Sequence, residues 1–85
     1  MEIKELQNAR DRIDLIDEQI ARLFNERQSL SAEIARIKKE NGLQTLDLGR
    51  EEIVMKRAEE RCGMYGRELF RCLMELSKKE QAKYR

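Results

Sequence analysis

Eighty-five residues make one small domain at most, and a chain this short needs disulfides, a metal, tight helix packing or a second chain to be stable. Its 18 Lys and Arg offset 17 Asp and Glu to leave a net charge of +1, so no broad field draws it to nucleic acid or an anionic membrane. With no His, and with Cys62 and Cys72 as its two cysteines, it offers no zinc-ligand spacing, no disulfide framework and no His-based proton transfer; neither metal nor cofactor is expected.

Ala, Glu, Lys, Leu and Arg fill more than half of the chain, Pro is absent and Gly occurs four times, the composition of long helices. The fold class is all-α. Gly42 and Gly49 bracket one polar interruption, Gly63 and Gly66 a second. This predicts three helices, over about residues 3 to 41, 48 to 62 and 66 to 84. No repeat or linker divides them, so residues 1–85 are read as a single domain. No apolar run approaches the ~20 residues that span a bilayer, and Met1 to Glu5 lack the apolar segment of a secretion signal, which predicts a cytoplasmic protein.

In the first predicted helix, Leu6, Ala9, Ile13, Ile16, Ile20, Leu23, Arg27, Leu30, Ile34 and Ile37 step by three and four without a slip, forming a heptad seam. A helix of about 39 residues is roughly 58 Å long, whereas a compact chain of this size is roughly 30 Å across. The seam overhangs its own protomer and would face water, so a homodimer is expected, with the two shorter helices packed around the paired long ones.

Arg27 lies on this seam between Leu23 and Leu30, where an unpaired charge is costly. It either sets the register against Glu26 or Glu33 of a second chain or clamps an anion in an internal pocket. Lys38, eleven residues on, falls within about 20° of the same helical face, so both side chains can converge on one small ligand. Lys38 alone reads as a solvated lysine, as Lys39 does.

The second helix opens on Asp47-Leu48-Gly49-Arg50-Glu51. Asp47 suits the N-cap and Glu51 and Glu52 the positive end of the dipole. The 51, 54, 58, 62 spacing also turns Glu51 towards the side of Val54, Ala58 and Cys62, and Ile53 adds to the apolar set. In the third helix Leu69, Phe70, Leu73 and Leu76 form the apolar face. Ser77 then stands where that spacing calls for another apolar residue, with Gln81 one turn later. The pair either makes interhelical hydrogen bonds or faces the same pocket as Arg27 and Lys38. Cys62 and Cys72 read as small packing residues of a reducing compartment.

Arg10, Arg27, Lys38, the run Asp47-x-x-Arg50-Glu51 and Ser77-x-x-x-Gln81 together resemble the active-site signature of the all-helical class of chorismate mutases. The segment from Ile16 to Arg27 is similar to that family's first helix, and the likeness runs from Leu6 to Gln81. Leu48-Gly49 stands where many relatives carry Pro after the Asp, and the connection around Gly63-Met64-Tyr65-Gly66 is shorter than in some members. The resemblance implies an intertwined antiparallel homodimeric helical bundle with two equivalent pockets. It also implies the Claisen rearrangement of chorismate to prephenate, on the way to phenylalanine and tyrosine.

Carried over by the resemblance, Arg27 and Arg10 grip the two substrate carboxylates, Arg10 arriving from the other chain, and Ser77 assists at a carboxylate. Lys38 and Gln81 hydrogen-bond the ether oxygen. Glu51 accepts from the ring hydroxyl, Asp47 contributes nearby and Arg50 holds the carboxylates of this region in place. Arg10 and Arg27 are about 26 Å apart along one helix, too far to touch one small molecule. If two long helices run antiparallel, setting Arg10 opposite the middle of the Arg27 to Lys38 span puts the two-fold axis near the seam's midpoint, as an isologous contact requires. The alternative is a non-catalytic helical-bundle dimer acting as an adaptor or nucleic-acid binder; that predicts basic residues on one exposed face, whereas here Arg and Lys alternate with Glu along every helix.

Overall fold

The computed structural model describes residues 3–84, which are all-helical and contain no strand. Helix α1 (Lys4–Glu40) and helix α2 (Leu48–Ala82) are joined by residues 41–47. The end of α1 is set by Gly42, whose φ of 65° lets the chain leave the helix while Leu43 N–H donates to the Lys38 carbonyl at 2.8 Å. Asp47 starts α2 as its N-cap, its carboxylate accepting from the Arg50 N–H at 2.9 Å.

Two helical elements are found where three were expected. The loop predicted around Gly63 to Gly66 does not form; Gly63 alone leaves helical geometry, at φ 69° and ψ −159°, a region only glycine enters readily. The consequence is a reversal. Glu51 and Lys78 meet at 2.6 Å and Glu59 and Arg67 at 3.0 Å, whereas in a straight helix the first pair would stand about 40 Å apart. Helix α2 is thus folded into two arms. Gly66 is buried in the bend, where an added Cβ would overlap the Cβ of Cys62 and sit 3.0 Å from the Ala58 carbonyl.

Both arms pack against the C-terminal half of α1, with Ser31, Ala35, Met55 and Ala58 buried. The face of α1 that meets α2 is not the heptad seam. The shielded residues are Phe24, Gln28, Ser31, Ala35 and Lys38, one position on from the seam line, together with Ala32 and with Arg27 of the seam itself. Val54, Ala58, Phe70, Leu73 and Leu76 turn inwards from α2 as expected, but Ile53, Leu69, Cys62 and Cys72 are exposed, and the cysteines are free thiols. The seam is left open to solvent. Ile13, Ile16, Ile20, Leu23 and Leu30 each expose more than half of their surface. The molecule measures 61 × 24 × 14 Å with a radius of gyration of 17.0 Å, against about 12 Å for a compact chain of this length. No helix among the described residues is long and apolar enough to cross a membrane.

Candidate functional site

A cleft of about 300 Å³ opens between α1 and the two arms of α2, a volume at the lower end of small-ligand sites. Seven of the eight residues singled out from the sequence line it: Arg27, Lys38, Asp47, Arg50, Glu51, Ser77 and Gln81. Each comes from a helix or its cap, so the backbone that carries them is rigid. Arg10 is absent from the cleft. It lies exposed on the overhanging half of α1, about 26 Å along the helix from Arg27.

The cleft is cationic. Arg27, Lys38, Arg50 and Lys78 face Asp47 and Glu51, a formal excess of two positive charges. Among the described residues no carboxylate pairs with Arg27; one guanidinium N–H donates to the Leu73 carbonyl at 3.4 Å. Burial, and then the nearby Arg50 cation, push the Arg27 guanidinium below its ordinary value. It stays protonated, since arginine begins so high. Two like charges left facing each other across a partly desolvated cleft are relieved by an anion between them. Lys38 is held by donating to the Thr45 carbonyl at 2.7 Å, which fixes its ammonium at the rim where α1 gives way to the connecting loop.

On the α2 wall Ser77 shares a hydrogen bond between hydroxyls with Ser31 of α1, and the Gln81 amide donates to Ser77 Oγ at 3.3 Å. The Gln81 carbonyl oxygen is buried and has no partner among the described residues. A half-turn of the amide exchanges its ends: the carbonyl then accepts from Ser77, and the NH₂ takes the unpartnered buried position beside the cleft. Gln81 can therefore offer a neutral donor beside the cations of Arg27 and Lys38 from α1 and of Arg50 and Lys78 from α2. Leu30, Ile34, Leu46, Val54 and Met74 supply the apolar remainder.

Sequence reasoning passed over Ser31, Lys78 and the Thr45 carbonyl. Ser31 sits one turn after Arg27 and was detectable as a small polar residue on that side of the helix, but the seam pattern drew attention to Leu30 and Ile34 instead. Lys78 looks like half of an exposed Lys78-Lys79 pair until α2 folds back and brings it to Glu51. A backbone carbonyl carries no residue signal at all.

A family model described as chorismate mutase type II matches residues 9–82. A chorismate mutase of Methanocaldococcus jannaschii is 33% identical over 88 residues, covering 96% of this chain and 89% of that protein. A solved structure of a conserved hypothetical protein from Pyrococcus furiosus superposes with a TM-score of 0.85 at 39% identity, covering 94% of this chain and 99% of that one.

Proposed function

The chain belongs to the chorismate mutase type II family, and on that premise we propose that the cationic cleft is where it rearranges chorismate to prephenate, a step of phenylalanine and tyrosine synthesis. The reaction breaks an ether C–O bond as a new C–C bond forms within one molecule. It calls for no nucleophile and no net proton transfer, so the cleft's task is to hold a flexible dianion in a compact pseudo-chair and to meet negative charge as it grows on the ether oxygen.

The charge excess fits that task. Arg27 takes one carboxylate in the bidentate manner that a guanidinium allows, with Ser77 assisting, and Arg50 keeps the local carboxylates in place while adding to the field. Lys38 directs its ammonium at the ether oxygen, and Gln81, with its amide turned towards the cleft, donates to the same atom. Glu51 accepts from the ring hydroxyl, and Asp47 contributes at the mouth of α2 besides capping it.

The second carboxylate is left for Arg10 of another protomer. Two α1 helices packed antiparallel along the uncovered seam would bring that guanidinium to the neighbour's cleft. Covering eight half-exposed Leu and Ile side chains per protomer is worth on the order of 10 kcal/mol before association entropy is subtracted. The whole chain then acts as one catalytic domain of a homodimer, at work in the cytoplasm and needing no cofactor.

The observation that carries this reading is the convergence of Arg27, Lys38, Arg50, Glu51, Ser77 and Gln81 on one cleft with two spare positive charges. Adding purified protein to chorismate, with no other reagent, should make the substrate's ultraviolet absorbance fall; unchanged absorbance would overturn the assignment. Sedimentation equilibrium should return twice the protomer mass, and a protomer-sized particle at assay concentration would remove Arg10 from the site.

A further inference from the structure

We propose that Lys78 is a positioning residue of this cleft: it holds the Glu51 carboxylate in place for the substrate hydroxyl and cancels the repulsion between that carboxylate and the substrate's own two. The proposal rests on the reading of the cleft as the chorismate site and adds a residue which that reading leaves out.

Three observations support it. Lys78 lines the cleft together with Glu51. Its ammonium is 2.6 Å from Glu51 Oε1 and 3.2 Å from Glu75 Oε1, so it is the cation bridging the cleft carboxylate to an outer one. The pair also spans the two arms of α2, with Glu51 in the first turn of one arm and Lys78 near the end of the other. Glu51 is 22% exposed and Lys78 41%, so the contact lies at the rim, and the carboxylate is the more enclosed member.

The charge arithmetic explains why a lysine is useful there. A carboxylate that must accept a hydrogen bond from the hydroxyl stands close to a dianion and repels it. With Lys78 engaged, the Glu51 and Lys78 pair is neutral, and Arg27, Lys38 and Arg50 act against Asp47 alone. Without Lys78 the excess falls from two positive charges to one, and the Glu51 side chain regains freedom to rotate towards solvent. The pericyclic transition state keeps both carboxylates and the hydroxyl, so this loss weakens substrate and transition state alike and is read mainly in KM.

The test is a kinetic double-mutant cycle on the full chain with chorismate: wild type, Lys78→Met, Glu51→Gln and the two combined, each checked by circular dichroism. Lys78→Met should raise KM about fivefold, with a smaller fall in kcat. Added to Glu51→Gln, it should change little, because the carboxylate it serves is already gone. Lys78→Gln gives the same reading if the Met variant folds poorly. A Lys78→Met enzyme with wild-type KM, or one whose defect is undiminished in the Glu51→Gln background, overturns the proposal while leaving the chorismate assignment intact. A wild-type protein inert towards chorismate removes the reading beneath it.

Discussion

The decisive perturbation is a pair of damaged chains that repair one another. Arg10 and Arg27 are separated by about 26 Å on one straight helix, and an arginine side chain reaches roughly a quarter of that, so a site that uses both must draw them from two protomers. In the proposed dimer, Arg10→Ala and Arg27→Ala chains would each lack one carboxylate clamp in both pockets and should lose at least about a hundredfold in kcat/KM. When equal amounts are unfolded and refolded together, half of the dimers are mixed. In each mixed dimer one pocket has lost both arginines and the other has kept both. About a quarter of all pockets are then intact, and the mixture should recover about a quarter of wild-type activity at equal chain concentration, at least about 25-fold above either parent. Chorismate loss followed by absorbance gives the activity, and native mass spectrometry of the same sample counts the mixed dimers. Mixed dimers present without recovered activity would refute the shared pocket.

Other expectations follow from the same geometry. Lys38→Ala removes the cation proposed to face the breaking bond and should cost at least about a hundredfold in kcat/KM while leaving the helical circular dichroism unchanged; near-normal kinetics would cancel that role. Gly66→Ala puts a methyl group against Cys62 and the Ala58 carbonyl and should destabilise the chain by about 1–3 kcal/mol in urea titration. With no titrating base in the proposed chemistry, kcat/KM should stay flat between about pH 6 and 9; a sharp acidic optimum would argue against Gln81 as the neutral donor. The Glu51 and Glu75 carboxylates hold Lys78 above its ordinary 10.5. A group whose folded value is raised stabilises fully below the unfolded value and stops doing so as pH climbs through the folded one. Melting curves of wild type and Lys78→Met should therefore keep a constant separation from pH 6 to 9 and converge only above 10.5.

Much of this molecule was legible because helices write their period into sequence. The heptad spacing from Leu6 to Ile37 foretold a helix too long for its own globule, and Asp47 announced the start of α2 through its cap. The polar breaks in apolar faces at Arg27, Ser77 and Gln81 all fall on the cleft. What stayed hidden depends on tertiary placement. Two glycines three residues apart read as a loop, yet Gly63 turns the chain alone and Gly66 serves as close packing. The line that packs α1 on α2, with Ser31 and Ala35 at its centre, is small and partly polar, and it was outshone by the larger side chains beside it.

The one-residue bend at Gly63 has a consequence for how such a chain can vary in length. Surface connections ordinarily absorb insertions with little harm. Here there is no slack to absorb one. An extra residue at the bend would spin the returning arm by about 100° about its own axis, carrying Ser77 and Gln81 away from the cations they face. A single added residue in this shortest stretch of irregular backbone is therefore felt across the cleft, whereas a longer loop can restore the register of the returning arm.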